Sequence, residues 1–202
     1  HGAMPDHGRN PLAALARFAV ALEATQVALQ RDPGRHRHLG LPFLTPTVFH
    51  AGDAEQINVI PAGAWAAWDI RTVPGVDHPR LLDGLRATAR RLSAETEVAL
   101  HLTVIDDRPP TETALDSPVV RAVCDAHEAV TGTRPPEGGV PGTTDGTILW
   151  RDAGLPVVVY GPGGKWIAHQ ADEFVELDDL RTAAAVYAEA ARRFLLAAES
   201  PG

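Results

Sequence analysis

The sequence predicts a mixed α/β protein in two units: a split-βαβ, ferredoxin-like unit over 1–106 that lacks its first strand, then an α/β unit over 107–202. Three observations predict this. From Pro11 to Ile105 the apolar periodicity runs helix, strand, strand, helix, strand, which is βαββαβ without its leading strand. Asp106-Asp-Arg-Pro-Pro110 then interrupts the pattern as a polar, proline-rich junction. Beyond it, Leu155-Pro-Val-Val-Val-Tyr160 is a continuous apolar run between helical segments, the mark of a strand buried on both faces.

Each element follows from local chemistry. Leu12, Leu15, Phe18, Ala19 and Leu22 recur at helical spacing, and Asn10-Pro11 supplies a cap with proline at the first helical position, so a helix is expected over 11–30. The polar stretch RDPGRHRHLGLP reads as a loop. Strands are expected over 45–50 and 64–72. In the second, Trp65, Ala67, Asp69 and Arg71 share one face and Ala66, Trp68 and Ile70 the other. Asp77-His-Pro79 caps a second helix whose apolar stripe is Leu81, Leu82, Leu85, Ala89 and Leu92. Val98, Leu100, Leu102 and Val104 alternate as a third strand over 98–105.

The second unit opens with a helix capped at Ser117-Pro118, running to about Val130 and stopped by Gly132. RPPEGGVPGTTDG is a glycine- and proline-rich loop, followed by a short helix over 147–152 and the strand at 155–160. GPGGKWIAHQADE is a second loop. Asp178 is expected to cap a last helix with Leu180, Ala184, Tyr187, Ala191 and Phe194 on its buried stripe.

Composition narrows the partners. The chain has 202 residues, 45% hydrophobic and 22% charged, with net charge −8, which argues against nucleic acid and anionic membranes as general partners. No apolar run reads as the roughly 20 residues a membrane helix needs. The one cysteine, Cys124, sits on a helix stripe as a core residue and offers no internal disulfide. The expected location is the cytoplasm.

Four places carry residue types suited to chemistry. His169, in Ala-His-Gln-Ala-Asp-Glu173, follows the apolar strand, where ligands gather in α/β sheets. Its imidazole suits zinc, with Asp172 or Glu173 to orient it, or it is an ordinary loop histidine. Gly142-Thr-Thr-Asp-Gly146 offers amides and hydroxyls for an anion, or is a turn capped by Asp145. Arg71 is a fork for a carboxylate, or the partner of Asp69 in a surface ion pair. Asn58 hydrogen-bonds a ligand or makes an Asx turn. His7, His36, His38, His50, His78, His101 and His127 show no partner pattern.

Taken in order, HGAMPDHGRNP, NVIPAGAWAAWDIR, GTTDG, GLPVVVYGPG and AHQADEFVELDDL are similar to the words of one family. It is the zinc-dependent aminoacylase, acetylornithine deacetylase and succinyl-diaminopimelate desuccinylase family, which includes a glutamate-releasing carboxypeptidase. The resemblance spans nearly the whole chain. It implies that residues 1–106 are a dimerisation lid and 107–202 the C-terminal part of a catalytic α/β domain. His1 would reach across a homodimer to steady the oxyanion of the partner's intermediate, a kind of contact worth about 3–4 kcal/mol elsewhere. Asn58 and Arg71 would hold substrate, Thr143, Thr144, Asp145 and Gly146 would meet its carboxylate, and His169 would bind metal. The family's centre carries two zinc ions, with cobalt or manganese as alternatives. Its water, attacking the amide carbonyl, would cleave N-acyl amino acids or short peptides.

The family's remaining ligands and its general-base glutamate lie ahead of the lid, so the 202 residues alone are expected to be inactive. The chain begins on His1, on this reading, because a first half is missing from it. A rival reading makes the chain a non-catalytic dimerisation or regulatory module, and bound metal separates the two.

Overall fold

A computed structural model of the chain describes residues 1–164 and 167–197. Its elements are α1 (Pro11–Arg31), β1 (Phe43–Ala51), β2 (Ala64–Arg71), α2 (His78–Thr96), α3 (Pro118–Thr131), α4 (Gly146–Ala153) and α5 (Leu177–Ala197), with a 3₁₀ turn at Pro5–His7. Contacts divide it into two compact units, His1–Pro109 and Pro110–Gly202. The result is a mixed α/β protein.

In the first unit β1 and β2 form an antiparallel pair, with an irregularity between Pro46 and Val48 where proline withholds an amide. One face of β2 turns Trp68 and Ile70 into a core built on Phe18, Leu22, Leu44, Leu81, Leu85, Ala89 and Leu92. Asp69 and Arg71 face outward. Phe18 and Phe49 both meet Trp68 edge-on, at centroid distances of 5.6 and 6.0 Å. Asn10 caps α1 by accepting from the Ala13 amide at 3.2 Å, and Asp77 caps α2 by accepting from the Arg80 amide at 3.0 Å. Side chains of α1 also cover the start of β1: the Leu44 amide donates to Gln26 Oε1 at 2.8 Å, and Gln30 Nε2 donates to the Pro42 carbonyl at 2.9 Å.

Two expectations for this unit change. Residues 98–105 join no ladder. Leu100 and Leu102 still pack on the core, but the Leu100 amide donates to Ser93 Oγ at 2.9 Å. The alternation is therefore satisfied by burial without a strand partner. Helix α1 is also long and apolar enough to cross a membrane, its richest 18-residue window having a mean hydropathy of 1.5. The sequence reading missed this because alanines and the charges of Arg17 and Glu23 break up the run. In the structure Ala14, Leu15, Phe18 and Leu22 are buried, the amphipathic use of a core helix.

The second unit is organised by α3 against α5. Ala126, Val186 and Ala190 form its closed core, with Val123 and Tyr160 packed beside them. The stripe expected on α5 is displaced: Ala183, Val186 and Ala190 are buried, while Leu180, Tyr187 and Phe194 are 42, 49 and 44% exposed. Alanine on almost every face of this helix leaves little contrast for periodicity to find. Small residues at the crossing also let α3 and α5 approach closely. Asp178 lies inside the first turn of α5 and pairs with Arg181 at 2.8 Å, so it is not the cap. Cys124 is half-buried and not fully in the core.

Segment 155–160 forms no ladder either, and Leu155 and Val159 are 50 and 51% exposed. It is anchored instead by Thr113, whose hydroxyl meets both polar groups of the Val157 backbone. The Tyr160 carbonyl accepts from Tyr187 Oη at 2.6 Å. In the loop expected over 161–173, residues 165 and 166 lie outside the described residues.

Candidate active site

In the first unit the structure brings His1 and Asn58 together. The Gly2 amide donates to the Asn58 carbonyl at 2.7 Å. The Met4 amide closes a turn on the His1 carbonyl at 2.9 Å, and the Ala3 amide donates to His1 Nδ1 at 3.0 Å. A nitrogen that accepts carries no proton, so the neutral imidazole holds its proton on Nε2 and can donate from there. Gly2 fits closely where it stands: an added Cβ would lie 3.2 Å from the Asn58 oxygen, so one of the two segments would have to give by a few tenths of an ångström. His1 and Asn58 are both exposed.

Arg71 is gripped by Asp69, two residues back on the same strand face. Arg71 Nε meets Asp69 Oδ1 and its Nη2 donates to Asp69 Oδ2, each at 2.8 Å. This is the fork-to-fork pairing of guanidinium and carboxylate. Both side chains are about half exposed, so the pair adds little stability but holds the guanidinium plane.

In the second unit Gly142-Thr-Thr-Asp-Gly146 leads directly into α4. The Thr147 amide donates to the Thr144 carbonyl at 3.1 Å, and the Ile148 and Leu149 amides donate to the Asp145 carbonyl at 3.0 and 3.3 Å. These amides are engaged within the turn and are not presented to an incoming anion. Asp145 makes no side-chain cap, contrary to the capped-turn reading. Gly146 is fixed by crowding: a Cβ would lie 2.6 Å from Val157 Cγ1 and 3.1 Å from Thr144 Oγ1.

His169 is exposed, with φ of 63°, and Asp172 shares this left-handed conformation at 59°. Both belong to the residue types that adopt it most readily after glycine. Glu173 accepts from the His169 backbone amide at 3.0 Å, so it braces the loop through the main chain. Among the described residues no three of His, Cys, Asp and Glu converge to hold a metal ion. The donors present therefore do not by themselves make the metal centre that the family resemblance implies. A cleft of ≈ 290 Å³ between this loop and α5 is lined by Gly163, Gly164, Ile167, Phe174, Val175, Glu176 and Asp179, and by no candidate site residue.

Two of the histidines left without a role in the sequence have side-chain partners far away in the chain. His127 Nδ1 meets Tyr160 Oη at 2.8 Å, with the rings edge-on at 5.7 Å. Burial, and then the neighbouring Tyr187, push the Tyr160 phenol above its ordinary range. His78 bridges Thr72 and Asp107. Separations of 33 and 29 residues hide such pairs from any local pattern.

Comparison with known proteins identifies the chain's class. The model of peptidase family M20/M25/M40 matches residues 12–193, and the chain belongs to that family. Among its relatives, a succinyl-diaminopimelate desuccinylase of Cereibacter sphaeroides is 35% identical over 192 residues, which is 93% of this chain and 47% of the relative. An acetylornithine deacetylase of Myxococcus xanthus is 29% identical over 199 residues, covering 96% of this chain and 49% of the relative. The chain thus spans about half the length of the curated relatives it matches. The crystal structure of an M20 family metallo-carboxypeptidase from Sulfolobus solfataricus shares the fold, with TM-score 0.68 and 18% identity over 97% of this chain and 55% of that one.

Proposed function

We propose that these residues are the lid and the C-terminal catalytic portion of a hydrolase that cleaves the amide bond of N-acyl amino acids or short peptides. The observation that carries the reading is family membership over 12–193, together with relatives named for removing succinyl and acetyl groups from amino acids. The parts of this chain then have distinct tasks. His1 donates from Nε2 to the oxyanion, in a homodimer whose lids pair. The proton placement at His1 supports this, because its Nδ1 is already occupied by the Ala3 amide. The sheet supports pairing, because Phe43, Val48 and Trp65, on the face opposite Trp68 and Ile70, are 47, 39 and 55% exposed.

Arg71, held flat by Asp69, receives the substrate carboxylate, and Asn58 hydrogen-bonds the bound amide. Thr143 and Thr144 meet the carboxylate through their hydroxyls, since the amides of Thr147, Ile148 and Leu149 are engaged. Asp145 and Gly146 shape this loop. His169 contributes one imidazole ligand; further ligands would have to come from outside these 202 residues, and the metal is zinc, cobalt or manganese. The half-exposed Leu155 and Val159, on a segment with no ladder partner among the described residues, fit a sheet completed by other strands. The 202 residues alone therefore hydrolyse nothing, and the enzyme works in the cytoplasm.

The test is a panel of N-succinyl and N-acetyl amino acids and dipeptides, offered with added zinc, cobalt or manganese to the longest natural polypeptide carrying this sequence. Release of free amine from at least one acyl amino acid is expected. Failure across the panel by a folded, metal-loaded protein would refute the reading.

A further inference from the structure

We infer that His78 is a positioning residue that clasps the connector at Asp107 to the first unit. It stands at the first position of α2, where Asp77 caps the helix. Its Nε2 lies 2.8 Å from Thr72 Oγ1, just beyond the end of β2, and its Nδ1 lies 2.6 Å from Asp107 Oδ1. Three chain segments therefore meet on one ring: the exit of β2, the start of α2 and the stretch that leaves the unit. The ring itself is well covered, its side chain 15% exposed against 44% for Asp107.

The chemistry makes this a clasp and not a switch. An ionised carboxylate can only accept, so Nδ1 donates to Asp107. Nε2 then accepts the Thr72 hydroxyl proton when the ring is neutral and donates to the same oxygen when it is charged. A hydroxyl serves either way, so both bonds persist in both states of the ring. The other charges at this corner are committed elsewhere: Asp77 accepts from the Arg80 amide, and Asp106 pairs with Arg108 at 2.7 Å.

The clasp matters because residues 98–105 have no ladder to hold them. After Leu102, the last of these residues packed on the core, the backbone reaches Pro109 without regular structure. Asp107 is the point at which the partly covered imidazole of His78 fastens it. Thr72, the other end of the bridge, directly follows Arg71, so the same ring also steadies the strand exit that carries the guanidinium.

The test is the backbone {1H}–15N heteronuclear NOE for wild type, His78→Phe, Asp107→Ala and Thr72→Val, with circular dichroism to verify folding. Asp107 is half exposed, so Asp107→Ala keeps the fold even if His78→Phe does not, and alanine, unlike asparagine, leaves no side-chain oxygen to accept from Nδ1. The amides of residues 104–108 are the readout, since Pro109 and Pro110 carry none. Asp107→Ala is expected to lower the NOE over 104–108 while α1 and the middle of α2 stay unchanged. His78→Phe, if folded, should do the same, and Thr72→Val should do so more weakly. An unchanged NOE over 104–108 in Asp107→Ala, or a fall spread evenly over the first unit, would overturn the assignment.

Discussion

The Gly2 amide donates to the Asn58 carbonyl at 2.7 Å, which ties two segments more than fifty residues apart into one surface. The turn on Gly2 carries His1, whose ring is in turn held by the Ala3 amide. Two residues assigned to substrate chemistry on separate sequence words are thus neighbours through the main chain.

That geometry sets the proton on His1. Long-range nitrogen–proton spectra at neutral pH should show His1 as the Nε2–H tautomer. Gly2→Ala, by forcing a Cβ against the Asn58 oxygen at 3.2 Å, should loosen the turn and mix the tautomers. A dominant Nδ1–H form in the wild type would remove the support for oxyanion donation by this ring.

Gly146 should tolerate no side chain. Gly146→Ala places a methyl 2.6 Å from Val157 Cγ1, and the β-branched valine has few rotamers with which to escape. Overpacking of this kind costs about 1–3 kcal/mol. Urea denaturation should show that loss, and adding Val157→Ala should recover part of it. A Gly146→Ala variant as stable as wild type would mean that the α4 entrance is looser than described.

Tyr160 gives a pH dependence with a definite sign. Its phenol is raised in the folded state, chiefly by burial and then by Tyr187, so the unfolded chain loses this proton first. Below pH of about 10, both states are protonated and its contribution is complete. As pH rises through the folded-state value, the unfolded state binds fewer protons and that contribution is lost. The chain has two tyrosines, so Tyr187→Phe leaves Tyr160 as the one phenol seen at 295 nm. Its titration should lie above that of free tyrosine; a midpoint at or below the ordinary value would contradict the packing of Tyr160.

Local chemistry was readable where one segment decides the outcome. Asn10 and Asp77 cap as their spacing implies, and Trp68 and Ile70 point inward while Asp69 and Arg71 point outward. Reading failed where several segments decide together. Strand pairing at 98–105 and 155–160 depends on partners that periodicity cannot supply. The α5 stripe fell on Ala183, Val186 and Ala190, because a helix crossing favours small residues over the larger Leu180, Tyr187 and Phe194. Of the candidate site, residue types and loops were legible, as was the Asp69 alternative for Arg71. The clasps on His78 and His127 were not, since their partners are far away in sequence.

The most direct test of the central reading is His169→Asn in the longest natural polypeptide that carries these residues. Asparagine accepts the left-handed backbone at φ 63°, so a loss cannot be ascribed to strain. Bound metal and hydrolysis of the best N-acyl amino acid would be measured on the same folded sample. The expected result is metal content reduced and activity down about 100-fold or more, as befits removal of a ligand. Full activity with unchanged metal in His169→Asn would contradict the assignment of this loop to the catalytic centre.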